Sequence, residues 1–152
     1  KFGGFCVVNG EQRFGFLGLA DTWGFRSGVA CGETFADLLT TSFFNVDAAC
    51  YHVDRKELLC LPGYDQWIRE RILDINLLQN PHPPSMVRRA LVLMQTRQLG
   101  VTRRLAEYIV SHIESQTLAW VDQLLMNKLR EFLARDGQDQ FRFSPQAELV
   151  VR

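Results

Sequence analysis

Cys31 stands in the small-residue run RSGVACG, directly before a segment with the pattern of a helix start. A thiolate at a helix N-terminus is stabilised by unpaired backbone N–H groups and by the positive end of the helix dipole, which makes the sulfur nucleophilic. The later segment ACYHV carries His52, and Asp54 follows two positions on. The order cysteine, histidine, aspartate suits a catalytic triad, so Cys31, His52 and Asp54 are the candidate catalytic residues of a cysteine-dependent hydrolase or transferase.

The spacing of these residues also counts against a triad. His52 and Asp54 on one strand would point to the same face. Only 21 positions separate Cys31 from His52, which is few for a fold that must place a helix and several strands between them. Free cysteine is among the most buried residue types. Cys31 is therefore equally explained as a small packed residue where a strand meets a helix.

A metal site is a third interpretation of the same region, besides a catalytic triad and a packed cysteine. Cys50, His52 and Cys60 would supply three ligands if a hairpin brought them together, with Cys31 as a fourth. Structural zinc sites are built on closely spaced cysteine or histidine pairs, and this sequence has no CxxC unit. We therefore expect no metal and no cofactor, with the cysteines as reduced residues of an intracellular (cytoplasmic or nuclear) protein.

A second constellation consists of five arginines within residues 86–104, a span that contains no acidic residue. Inside it, RQLGVTRRLAEYI looks like the centre of a helix-turn-helix, with Gly100 in the turn and Thr102 as N-cap of the second helix. Segment 86–113 would then place arginines against DNA phosphates or base edges. An ordinary solvated face beside a turn explains the pattern as well. The candidate nucleic-acid-binding residues are Arg88, Arg89, Arg97, Arg103 and Arg104.

A third constellation is apolar. The predicted helix LAWVDQLLMNKLREFLARDG has an apolar stripe wider than one packing face requires, which suggests an interface with another protein or a second copy of the chain. The candidate interface residues are Trp120, Leu124, Leu125 and Phe132. Packing of three helices on a sheet is the alternative explanation. The same two alternatives, an interface or internal packing, apply to aromatic residues in a glycine-punctuated stretch near the start: Phe14, Phe16, Trp23 and Phe25.

The bulk composition excludes several protein classes. Of the 152 residues, 47% are apolar and 22% charged, which is typical of a globular domain and argues against disorder. Basic and acidic residues are equal at 17 each, so a dedicated polyanion binder is disfavoured. No apolar run is long enough to span a membrane, and the start has no signal-peptide layout. The sequence begins without Met, which either a trimmed chain or a domain cut from a longer protein would explain.

The first part of the chain predicts two β-hairpins that flank a helix. In the first hairpin, residues 5–19, the dipeptide Asn9-Gly10 is typical of a type I′ turn. Thr34 and Asp37 have the spacing of a capping box at the start of the helix. The second hairpin joins ACYHV to ELLCL through the polar turn DRKE.

The second part of the chain predicts helices. Residues 64–80 have the pattern of one long amphipathic helix. Three prolines within residues 80–84 mark a joint between a front of residues 1–79 and a three-helix back of residues 85–137. The tail, residues 138–152, holds β-compatible runs that predict an edge strand.

These patterns predict a single α+β domain over residues 1–152, with a small, mostly antiparallel N-terminal sheet, one inserted helix and a C-terminal layer of three to four helices. Since no motif supplies a complete catalytic set, the sequence favours a non-enzymatic protein-interaction or regulatory module of a larger assembly, self-associating through apolar helix faces. The alternatives are a DNA-binding regulator that uses segment 86–113 and a cysteine-dependent enzyme with Cys31 as nucleophile.

Overall fold

A computed structural model describes residues 4–113 and 123–143 of the chain. The predicted α+β class is confirmed: antiparallel hairpins come first and most of the helices follow. The described residues up to Tyr64, together with Asn76–Gln79, form one compact unit. Asp65–Ile75 and the described residues from Asn80 onward form a second. That the whole chain behaves as one cooperative domain stays a prediction.

The first unit is built from two separate two-stranded antiparallel sheets and two short helices. Its elements are β1 (Phe5–Asn9), β2 (Gln12–Phe16), α1 (Trp23–Arg26), α2 (Phe35–Leu39), β3 (Ala49–His52) and β4 (Glu57–Cys60). Leu39, Phe43, Phe44 and Ala48 are its buried apolar core. The Asn76 side chain donates hydrogen bonds to backbone carbonyls at the end of α2 and just after it, including that of Ser42 at 3.0 Å.

The first hairpin forms where the sequence predicts it, but its turn lies one residue later. Asn9 pairs with Gln12, so the two central turn residues are Gly10 and Glu11. Gly10 has φ +61°, whereas neither Asn9 nor Glu11 has a positive φ. A positive φ at the first central position alone is typical of a type II′ turn, so the expected type I′ turn on Asn9-Gly10 is wrong. This register decides which side chains share a face of the hairpin.

The second unit contains a three-stranded sheet in the order β5-β6-β7 and most of the helical residues. Its elements are α3 (Tyr64–Glu70), β5 (Ile72–Leu73), α4 (Pro83–Arg97), β6 (Gly100–Thr102), α5 (Arg103–His112), α6 (Gln123–Leu133) and β7 (Gln140–Phe141). Strand β6 runs parallel to β5 and antiparallel to β7. The buried side chains of α4, α5 and α6 form the core of this unit.

The single helix predicted over residues 64–80 is wrong. Helix α3 ends at Glu70, Arg71 takes a left-handed φ of +54°, and Ile72–Leu73 become the parallel strand β5. Ile72, Leu73 and Ile75 are all buried, which a one-sided amphipathic helix does not allow. Pairing with β6, almost thirty residues away, overrides the local helical pattern.

Gly100, which was expected in the turn between two helices, is instead the first residue of β6. Helix α4 ends with Gln98 in the left-handed conformation at φ +51°. A Cβ on Gly100 would lie 2.9 Å from Ile72 Cδ1 and 3.0 Å from the carbonyl oxygen of Phe141. Glycine is therefore required here because strands on both sides approach the β6 backbone closely. The prolines of the predicted joint do not exclude a helix either, because Pro83 and Pro84 occupy the first turn of α4.

Arg103 holds the end of α6 against the start of α5. Its guanidinium donates hydrogen bonds to the carbonyls of Leu133 at 2.7 Å and Arg135 at 2.9 Å, and it lies 5.7 Å from the centre of the Phe132 ring. Carbonyl groups at a helix C-terminus have no partner within the helix, and a planar guanidinium can satisfy two of them at once.

We expect Arg103→Ala to lower the free energy of unfolding by about 1–3 kcal/mol, because it leaves those carbonyls without their charged donor. Arg97→Ala, at an exposed position on α4, is the control and should change it by less than about 0.5 kcal/mol. Urea unfolding followed by circular dichroism measures both variants. Equal effects of the two substitutions would contradict this role for Arg103.

Candidate functional site

The region around Cys31 lacks the environment that a helix-activated thiolate needs. Cys31 is exposed and lies before α2, a helix of only five residues. Asp37 Oδ2 accepts hydrogen bonds from the backbone N–H groups of Glu33 (3.1 Å) and Thr34 (3.0 Å), and Thr34 Oγ1 accepts from Asp37 N–H. The predicted capping box is thus confirmed. The Asp37 carboxylate therefore occupies two of the backbone N–H donors directly before α2.

His52 and Asp54 lie at the end of β3 and in the following turn. His52 Nδ1 accepts a hydrogen bond from Arg55 N–H at 3.4 Å, and the imidazole meets the Phe35 ring edge-on at 5.8 Å between ring centres. In a neutral imidazole whose Nδ1 accepts, Nε2 carries the proton, so it is a donor and not a ready general base. This geometry gives no support to proton abstraction by His52.

The cysteine that shares a pocket with His52 is Cys50, which sequence reasoning did not combine with it in a catalytic set. A pocket of about 330 Å³ is lined by Phe35, Leu38 and residues 50–54, and Cys31 is not among the lining residues. The two-residue spacing of Cys50 and His52 on one strand was the available signal, because alternate residues share a face.

The register of the second hairpin separates the proposed metal ligands. Cys50 pairs with Leu59 and Ala49 pairs with Cys60, so Cys60 lies on the opposite face of the hairpin from Cys50 and His52. All four cysteines are free. Within residues 4–113 and 123–143, no group of three or more His, Cys, Asp or Glu side chains is placed to hold a metal ion.

The candidate nucleic-acid residues divide into two groups. Arg88, Arg89 and Arg97 are exposed on α4. Arg103 and Arg104 instead bind groups of the chain itself: Arg103 at the end of α6, and Arg104 in an ion pair with Asp74 at 3.2 Å. The two arginines expected to contact bases or phosphates therefore serve internal contacts.

The segment between α4 and α5 is also a different structure from the predicted turn. Strand β6 separates the two helices and is bonded on both sides. Thr102 is the N-cap of α5, as predicted, and its Oγ1 accepts from Leu105 N–H at 3.3 Å. Its hydroxyl also donates to Asp74 Oδ1 at 2.5 Å. The arrangement is helix–strand–helix, with the strand built into a sheet.

The candidate interface residues of the last helix are mostly unavailable for binding. Leu125 and Phe132 are buried at 0% and 4% exposure, because α6 packs its stripe into its own unit. Leu124 is 38% exposed, and Trp120 lies outside the described residues. Exposed apolar side chains that share one face are found on the first hairpin, where Phe14 and Phe16 are about half exposed.

Two general tests, for membrane-spanning helices and for similarity to known proteins, give no family for this chain. No helix within the described ranges is long and apolar enough to cross a membrane. Comparison of the chain with known protein families, with curated proteins and with solved structures finds no match in any of the three.

The capping box gives the first unit a measurable pH dependence. Hydrogen bonds from the Thr34 hydroxyl, then from the backbone N–H groups of Thr34 and Glu33, hold the pKa of Asp37 below its ordinary value of 3.8. A carboxyl whose pKa is lowered by folding stabilises the fold above that ordinary value, and the contribution is lost as the pH falls through the folded-state pKa.

We expect Asp37→Ala to lower the melting temperature by a constant amount between about pH 5 and pH 7, with the difference from the natural chain shrinking below pH 3.8. Asp136→Ala, which removes an exposed carboxylate, is the control and should differ little from the natural chain at any pH. Thermal melts across this range test the expectation. A difference that stays constant down to pH 2 would show that Asp37 does not act through its charge.

Proposed function

We propose that this chain is a non-enzymatic protein-interaction module that binds a larger partner protein through one face of the β1–β2 hairpin. The observation that carries the proposal is the composition of that face. The register places four apolar side chains on it, and all are 45% exposed or more. They are Phe5, Val7, Phe14 and Phe16, defined here as the hairpin face.

Several features of the hairpin face are those of a protein interface. The Phe5 and Phe16 rings stack at 4.9 Å between centres, which fixes their positions before any partner arrives. Aromatic side chains are enriched at interface cores, whereas a contiguous exposed apolar patch is uncommon on an isolated soluble protein. A two-stranded hairpin with every residue exposed is marginal on its own in water. Burial by a partner would stabilise it.

The size of the hairpin face favours a partner of another kind over a second copy. Three aromatic side chains and a valine, each about half exposed, offer on the order of 400 Å². A standard interface takes about 800 Å² from each partner, so two hairpin faces stacked on each other would form a weak dimer. A larger protein that also covers the surface around the hairpin would supply the remaining area.

The two other functions have less support. For the Cys31 enzyme, His52 Nδ1 already accepts a hydrogen bond from Arg55 N–H, which does not favour His52 as a general base. The DNA-binding alternative retains only exposed arginines on α4, since Arg103 and Arg104 make internal contacts. Both stay predictions without a specific structural observation in their favour.

The partner is found by photo-crosslinking and its binding is then tested with matched variants. A benzoylphenylalanine placed at position 14 should give an adduct with one polypeptide in extracts of the source cells, and the same group at position 8 should not. Val8 is 60% exposed on the opposite face of the same hairpin. Identical adducts from both positions would contradict the proposal.

With that partner purified, we expect Phe14→Lys to weaken binding by about 10- to 30-fold, because it puts a charge into an apolar contact. Val8→Lys should leave the affinity unchanged. Both positions are exposed, so neither variant should alter the free energy of unfolding by more than about 0.5 kcal/mol. Isothermal titration calorimetry measures the affinities. Sedimentation that shows a dimer weakened by Phe14→Lys would instead identify a second copy as the partner and overturn the assignment to another protein.

A further inference from the structure

The second hairpin has an edge that the chain leaves open. Leu61 N–H donates to the carbonyl of Ala48, which sets the alternation of hydrogen-bonded and non-bonded pairs along β3 and β4. Cys50–Leu59 is then a bonded pair and Tyr51–Leu58 is not. The N–H and C=O groups of Tyr51 and of Ala49 therefore point away from β4. Among the described residues nothing is hydrogen-bonded to them.

The pocket near His52 borders the strand that carries this open edge. Five consecutive residues, 50–54, line it from β3 and its turn, and none of its lining residues comes from β4. Phe35 and Leu38 of α2 form the facing wall. The open edge and the α2 wall together make a groove of about 330 Å³, which is within the size range of small binding sites. Most of its lining is apolar or aromatic.

We propose that this groove binds an extended segment of another protein by strand addition to β3. Main-chain groups of the segment would pair with those of Ala49 and Tyr51, as extended peptides do on exposed sheet edges in known recognition domains. Alternate side chains of an added strand point to one face, so every second one would face α2. One of these enters the pocket between Phe35, Leu38 and Cys50.

The lining chemistry defines the segment. The pocket wall is apolar where it meets α2, so the inserted side chain is aliphatic or aromatic. Among the described residues, Asp54 is the only carboxylate in the lining, and no arginine or lysine lines the pocket. A basic residue at the end of the bound segment complements this charge. The occupant is thus an extended apolar segment with a lysine or arginine at its end, and this groove is separate from the hairpin face of the first proposal.

The probe is an array of octapeptides of sequence TVTXTVTK, in which X is each of the twenty amino acids. The purified chain should bind best where X is Leu, Met or Phe, and should not bind where X is Pro or Asp. The fluorescein-labelled peptide TVTLTVTK then gives an affinity by fluorescence anisotropy. Absence of binding to every peptide of the array overturns the proposal.

The matched pair of variants is Tyr51→Pro and Leu58→Pro. Tyr51 and Leu58 lie opposite each other, are 58% and 59% exposed, and both have N–H groups that point away from the ladder. Proline removes that donor and is tolerated at sheet edges. Tyr51→Pro should weaken binding of TVTLTVTK by about tenfold or more, and Leu58→Pro should not, because its N–H faces the other edge. Equal effects of the two variants overturn the proposal.

Two further measurements keep the test independent of how Tyr51→Pro folds. Methylating the peptide nitrogens at alternate positions should abolish binding for one of the two alternating sets and spare the other, because only one set faces β3. Bound peptide should also slow alkylation of Cys50 by iodoacetamide and leave Cys60, on the opposite hairpin face, unprotected. Binding that survives both methylation sets would show a side-chain pocket without strand addition and overturn the proposal. Phe14→Lys should leave peptide binding unchanged.

Discussion

The first unit depends on one constraint: within the described residues, each of its sheets has two strands. In a two-stranded sheet neither strand has a neighbour on its outer side, and a face is buried only if another element packs on it. Helix α2 covers one face of the β3–β4 hairpin, as the Phe35–His52 ring contact shows. No element in the described part of the chain covers the β1–β2 hairpin in this way, and every one of its strand residues is exposed. Open edges and an open apolar face are the direct consequence.

The second unit shows how the same chain avoids this exposure. Strand β6 is bonded on both sides, by β5 and by β7. Gly100 makes this possible because any side chain there would collide with the neighbouring strand and with Ile72. Polar groups at the ends of its elements also have partners within the unit. Arg103 donates to a carbonyl at the end of α6, and Asp74 binds both Thr102 and Arg104. The contrast concerns the strands: the β1–β2 hairpin exposes all of its strand residues, whereas Ile72, Leu73 and Val101 of β5 and β6 are buried.

How much the sequence predicts depends on how local the deciding interaction is. The Thr34–Asp37 capping box and the Thr102 N-cap were predicted correctly because each is settled within four residues. The helix over residues 64–80 was wrong because β5 exists only by pairing with β6, which no local pattern records. The pocket partner of His52 was missed for a related reason. A cysteine before a helix start is a familiar signal for a nucleophile, and it indicated Cys31. The alternation of side chains along a strand instead places His52 on the same face as Cys50.

An exposed apolar face and an exposed strand edge do different physical work in recognition. Apolar contact is non-directional, so any surface that excludes water from the hairpin face is stabilised there. The hairpin face therefore contributes more to affinity than to specificity. Backbone pairing along β3 requires an extended segment in one register, and the pocket beside it selects the side chain that enters. A binding module that uses both would hold a folded partner by its surface and select it by a strand.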